Sequence, residues 1–251
     1  MKNLCLKNLS DFEALKSLSL TDSDRQDLLK HPSIFTCPED HSALVDDLLG
    51  LEVARIEKDL LIRAHDINPK GNLETWGAKL HDGNQTWVGL APEVLQTPYS
   101  ELNWICDLLD PKDHDHFVDL GAGYGRLALV LDQLPIETSF MGLEYVKERV
   151  DEGREAYRRL QIKNATLIEQ DLTCPEFILP EADYYFIYDY GKILHIRNTI
   201  NQLAEMGDRK NFKVIARGKG VRSIIDKEHP WLSGVHEPYH EENFSIYSMS
   251  L

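Results

Sequence analysis

The sequence predicts an α/β fold: a seven-stranded, mostly parallel sheet with an antiparallel C-terminal strand, preceded by a mainly helical N-terminal region. Three observations carry this reading. Helical periodicity dominates residues 1–94. Over residues 95–251 short apolar runs alternate with amphipathic helical stretches, the texture of a parallel sheet covered by helices. The closing stretch WLSGVHEPYHEENFSIYSMSL then reads as two strands joined by a polar turn, an antiparallel end to the sheet.

In the N-terminal region, helices are expected over Asp11–Leu20 and Asp22–Lys30. A longer one starts at Pro38, with Glu39 and Asp40 favourable at its positive end. Leu49, Val53, Ile56 and Leu60 recur at spacings of four and three, one face of that same helix. In ETWGAKLHDGNQTWVGL, Asp82-Gly83 suggests a short hairpin turn. Thr97-Pro98 reads as an N-cap followed by a proline at the first helical position. The stripe Leu102, Ile105, Cys106 and Leu109 carries that helix to Asp110-Pro111.

Strands follow at Phe117–Leu120, Ser139–Leu143, Ala165–Gln170, Asp183–Tyr188 and Phe212–Arg217. Helices over Gly125–Leu134, Val146–Leu160 and Lys192–Met206 connect them.

With 42% hydrophobic and 27% charged residues, the 251-residue chain has the composition of an ordinary soluble protein. Its formal net charge of -15 argues against non-specific nucleic-acid binding, which needs Lys and Arg to neutralise phosphates. The same charge is compatible with a basic partner or substrate. Cys5, Cys37, Cys106 and Cys174 are widely separated and show no C-x-x-C spacing, so free thiols are expected. No apolar signal core or membrane span is legible, and a cytoplasmic protein is the default expectation. Asp113-His114-Asp115-His116 reads as a polar loop and no metal site is expected. Neither a P-loop nor a G-x-S-x-G elbow is present.

The chemistry concentrates at FVDLGAGYGR, where Gly121, Gly123 and Gly125 follow a buried-looking strand. In open α/β sheets ligands bind beyond the carboxyl ends of the strands, near the switch in strand order. The dinucleotide fingerprint G-x-G-x-x-G is one residue longer than the G-x-G-x-G here. Asp119, two residues before the first glycine, would oppose a pyrophosphate and would suit an ammonium.

The run DLGAGYGR resembles the first motif of class I S-adenosylmethionine-dependent methyltransferases. The resemblance covers residues 97–251 and implies a Rossmann-like fold with S-adenosyl-L-methionine as cofactor. It implies that Gly121, Ala122, Gly123 and Gly125 pass under the methionine portion and that Asp119 helps to anchor its amino group. It further implies that Glu144, at the end of the second strand, accepts from the ribose hydroxyls. Asp171 after the third strand would contact the adenine amine, with Leu172 against the ring.

Read without the family, Asp119 or Asp171 could cap a helix and Glu144 could be a loop acid. Tyr99, in TPYSEL, is either a contact for the cofactor carboxylate or a core tyrosine of an amphipathic helix. The stretch YYFIYDYGK places Asp189 and Tyr190 where family members face the transferring methyl, as candidates for catalysis or acceptor contact. It lacks the N/D-P-P-[YF] signature of amino-methylating DNA enzymes. The FVDLG opening is similar to that of non-SET protein-lysine methyltransferases, which implies a protein (lysine) or small-molecule acceptor, with nucleic acid disfavoured. The N-terminal region would then serve substrate recognition or act as a lid. Two other readings stay open: a nicotinamide-dependent oxidoreductase, and a non-catalytic cofactor-binding regulatory protein.

Overall fold

The computed structural model of the chain describes residues 22–30, 37–207, 210–234 and 236–249. Among these, seven strands form one sheet. They are β1 (His116–Leu120), β2 (Ser139–Glu144), β3 (Ala165–Glu169), β4 (Tyr184–Tyr188), β5 (Phe212–Arg217), β6 (Tyr239–His240) and β7 (Phe244–Met249). Their order is β3-β2-β1-β4-β5-β7-β6. The first five strands are parallel, and β7 runs antiparallel between β5 and β6.

The strand residues alternate between two cores, as the period of two demands. Phe117, Phe140, Tyr184 and Phe186 face one side, with the Phe117 and Tyr184 rings stacked at 4.4 Å. Val118, Leu120, Tyr185, Ile187 and Val214 face the other. Burial on both faces is why these strands read as near-continuous apolar runs.

The helices are α1 (Asp22–Lys30), α2 (Pro38–Leu49), α3 (Val53–Ile67), α4 (Leu73–Leu80), α5 (Pro92–Leu95), α6 (Tyr99–Leu109), α7 (Arg126–Leu131), α8 (Lys147–Leu160), α9 (Ile193–Gly207) and α10 (Lys219–Glu228). The expected helix over Asp11–Leu20 lies outside the described residues.

The long helix expected from Pro38 through Leu60 is two helices. Gly50 takes a left-handed conformation (φ 73°), and the Gly50 and Leu51 amides turn back onto Asp47 and Asp46. Arg159 of α8 donates to the Leu49 and Gly50 carbonyls and so caps this break from the far half of the chain. The apolar face continues across the break, so periodicity alone reads straight through it.

No hairpin forms at Asp82-Gly83. An Asn72 capping box, with Asn72 accepting from the Glu74 amide and Thr75 accepting from the Asn72 amide, commits Leu73–Leu80 to helix. Helix α6 starts one residue later than expected, with Pro98 at the cap position and the Tyr99 amide donating to Ser42. Helix α10 is an addition to the sequence reading. It buries Val221, Ile224 and Ile225.

The change of texture near residue 95 does not coincide with a break in packing. Val45, Ile56, Leu60 and Ala64 belong to the same hydrophobic cluster as Leu102, Leu127, Val150 and Leu167. A buried ion pair between Arg126 and Asp46 ties α7 to α2. Arg126 also donates to the Thr97 carbonyl, and its guanidinium lies 5.0 Å from the centre of the Tyr99 ring. None of the described helices is long and apolar enough to cross a membrane.

Candidate functional site

The strand order reverses at β1, which pairs with β2 on one side and β4 on the other. The crevice beyond these strand ends is where an open α/β sheet binds its ligand. A cavity of about 240 Å³ lies there. Its floor comes from Gly121, Gly123 and Glu144, and its far wall from Asp171, Leu172, Asp189, Tyr190 and His195. The segment before α6 covers it with Trp87, Leu90, Val94 and Gln96.

The three glycines are explained by what surrounds them. All have positive φ (83°, 56° and 74° at Gly121, Gly123 and Gly125), a region that other residues enter only at a cost. A Cβ at Gly121 would meet Tyr190, one at Gly123 would meet the Gln96 amide, and one at Gly125 would meet the Tyr157 hydroxyl. The turn closes through the Gly121 and Ala122 amides, both donating to the Leu143 carbonyl. Ala122 itself faces a smaller recess that opens beside the main cavity, lined also by Asp119, Gln96 and Arg126.

Asp119 is buried at 6% exposure, and among the described residues its carboxylate has neither a hydrogen bond nor an ion pair. Burial, with nearby Glu144 adding to it, pushes its carboxyl up to about 8. An isolated carboxylate is costly to bury unless a cation or donor meets it.

Glu144 accepts from the Gly123 amide at 3.0 Å and the Val146 amide at 2.9 Å. Arg149 approaches it to 3.6 Å. Each carboxylate oxygen keeps a further lone pair for a ligand hydroxyl. Arg149 in turn donates to both oxygens of Glu57 (2.8 and 3.0 Å) and to the Thr86 carbonyl at 3.1 Å. The Tyr124 hydroxyl also donates to Glu57, at 2.8 Å. Helix α3 and the glycine turn are therefore one buried network.

The remaining expected residues are distributed as follows. Leu172 lines the cavity. Asp171 lines it too, but its oxygens accept from the Thr173 amide and hydroxyl and from Asn84, which closes a local turn and pins the covering segment. Asp189 accepts from the Gly220 and Val221 amides at 2.9 and 2.7 Å, so its carboxylate caps α10. Tyr190 packs on Gly121 and its hydroxyl bonds Thr199; burial pushes that phenol up to about 12. Tyr99 lies in the core beneath Arg126, fully buried, with its hydroxyl donating to Asp46 at 2.8 Å, and it does not line the cavity.

Several lining residues escaped the sequence reading: Trp87, Gln96, Arg149 and His195. Trp87 is held at φ 54°, an uncommon conformation for a bulky residue, while its indole donates to the Asp189 carbonyl at 2.9 Å. The one available signal was its setting: an aromatic in a turn-rich stretch with no periodic face to bury it.

Topology and crevice together define a Rossmann-like α/β protein with a cavity at the β1 switch point. No protein-family profile and no curated protein matches the chain. Solved structures similar to it include an RNA methyltransferase from Salinibacter ruber in complex with S-adenosyl-L-homocysteine. It shares 16% identity, with 61% of this chain and 91% of that one covered and a TM-score of 0.46. A precorrin-6y C5,15-methyltransferase from Geobacter metallireducens GS-15 shares 17% identity, covering 62% of this chain and 91% of that one, at TM-score 0.47. TrmN from Thermus thermophilus shares 13% identity over 62% of this chain and 50% of that one, at TM-score 0.48.

Proposed function

We propose that the chain is an S-adenosyl-L-methionine-dependent methyltransferase acting on a protein or small-molecule nucleophile. The observation that carries this reading is Asp119, a buried carboxylate without a partner among the described residues, beside a glycine turn. That arrangement fits a ligand ammonium and disfavours a pyrophosphate. Glu144 supports the reading from the next strand end, where it lines the cavity with acceptor capacity to spare. When bound, such a cofactor supplies a methyl group on a positively charged sulfur; the chain's part is alignment and exclusion of water.

In this reading Gly121 and Gly123 let the backbone approach the ligand, Asp119 meets its amino group and Glu144 its ribose. Leu172 packs on the base and Asp171 lies beside it. The segment carrying Trp87 and Gln96 makes the N-terminal region part of the site wall, which suits a role in acceptor recognition. The formal net charge of -15 favours a neutral or basic acceptor over a phosphate-rich one. A cytoplasmic setting belongs to the same proposal.

Thermal-shift measurements with S-adenosylmethionine, S-adenosylhomocysteine and NAD test the cofactor. Stabilisation by both adenosyl ligands is expected; no shift with either at millimolar concentration sinks the reading. A second reading, a binding protein without transferase activity, is favoured by the commitment of both Asp189 oxygens to α10. Tight cofactor binding with no transfer of labelled methyl to any component of a lysate would select it.

A further inference from the structure

Among the described residues His195 is the one imidazole that lines the cavity, in the first turn of α9 and beside Tyr190, Gly191 and Asp171. Its Nδ1 is buried next to Gly191 and has no hydrogen-bond partner among the described residues. A buried ring nitrogen without a partner is uncommon and costs stability, so it calls for an explanation. Neither tautomer is fixed by a neighbour, which leaves the ring able to hold its proton on either nitrogen.

The groups facing it come from two loops, the one between β4 and α9 and the one after β3. Lys192, the residue immediately before α9, donates to the Gly83 carbonyl at 3.3 Å and adds positive charge nearby. Asp171, from the loop after β3, opposes that effect. Tyr190 keeps its proton and its hydroxyl shares a hydrogen bond with the Thr199 hydroxyl. Burial first, then Lys192, holds the imidazole below its ordinary value, so the ring is neutral at pH 7. Asp189, the acid nearest in sequence, is occupied as the cap of α10.

We propose that His195 is the proton acceptor for methyl transfer, and that the methyl acceptor is a hydroxyl or amine that must give up a proton. This rests on the cofactor reading above. The balance is direct. The acceptor's lone pair forms the new bond to the methyl carbon, and the carbon–sulfur bond breaks with its electron pair staying on sulfur. The acceptor's proton passes to the imidazole, so the positive charge that leaves sulfur ends on His195. A thiolate or a tertiary nitrogen would have no proton to give and would leave this ring without a task.

The test needs no identified acceptor. Sinefungin carries an ammonium on a carbon that replaces the sulfur of S-adenosylmethionine, in the place of its methyl, whereas S-adenosylhomocysteine keeps the sulfur and carries nothing there; their other groups match. The ratio of the two affinities is measured from about pH 5 to 8 on the full chain, wild type and His195→Gln. In the wild type, sinefungin should lose ground against S-adenosylhomocysteine as the ring protonates, approaching about tenfold per pH unit. In His195→Gln the ratio should be flat across that range.

Equal pH profiles in wild type and variant overturn the assignment while leaving the cofactor reading intact. Failure of both ligands to bind the wild type overturns the cofactor reading as well. Imidazole nitrogen NMR on the wild type supplies a check independent of any variant. The His195 resonances should differ between the sinefungin and S-adenosylhomocysteine complexes, and identical spectra overturn the proposal.

Discussion

Arg149 of α8 donates to both carboxylate oxygens of Glu57 of α3, a buried bidentate pair joining residues 92 apart in sequence. Both side chains are 4% exposed. A charge so placed is tolerated only while its partner remains, and without Glu57 Arg149 keeps only Glu144, 3.6 Å away, as a carboxylate partner among the described residues. Glu57→Gln is therefore expected to destabilise the protein by about 3–5 kcal/mol. Urea unfolding with an unchanged slope checks it; a loss well under 1 kcal/mol would show that α3 is not held by this pair.

Asp119 gives a pH prediction. The folded carboxyl keeps its proton up to about 8, whereas an unfolded one releases it near 3.8. Between these values the unfolded chain binds fewer protons, so stability falls as pH rises through that window. Asp119→Asn should flatten this slope. An ammonium ligand that pairs with Asp119 ionises it, so cofactor binding at pH 7 should release a proton. Calorimetry in two buffers of different ionisation enthalpy measures that release, and a wild type that releases none refutes the pairing.

Gly125 is predicted to tolerate no side chain. Gly125→Ala meets the Tyr157 hydroxyl, which itself donates to the Gly125 carbonyl at 2.8 Å, and it adds left-handed strain of about 1–3 kcal/mol. Adding Tyr157→Phe removes the colliding oxygen and not the strain. The double variant should thus recover part of the loss in thermal stability, and strict additivity of the two changes would refute the contact.

For Asp189, a capping role and a proton-transfer role separate cleanly. Asp189→Asn keeps an oxygen for the amides of α10, so its stability should stay close to wild type, while Asp189→Ala should lose about 1 kcal/mol. Methyl transfer from labelled cofactor to lysate should survive in the Asn variant. Its collapse with stability intact would make Asp189 the base in place of His195.

Much of the fold was legible because its signals are local. Strand runs such as Phe117–Leu120 report burial on two faces, and a turn that needs positive φ at alternate residues selects glycine. Where two local signals competed, the reading failed. Leu49, Val53, Ile56 and Leu60 keep one face across Gly50, so the period concealed a break that Arg159 caps from 109 and 110 residues away. At Asp82-Gly83 the turn is real, but the residues before it belong to a helix set by the Asn72 capping box.

By itself, then, the sequence determined the parallel sheet, the glycine turn and the succession of acids at the strand ends. Each of these depends on side-chain type and spacing within one element. Only the tertiary structure decided what those acids touch: Asp119 has no partner among the described residues, Glu144 holds the turn, and Asp189 caps α10. It also decided that Trp87, Gln96, Arg149 and His195 share one cavity. Hydrogen bonds and burial between distant segments leave no periodicity in the chain, because their partners are chosen by packing in three dimensions.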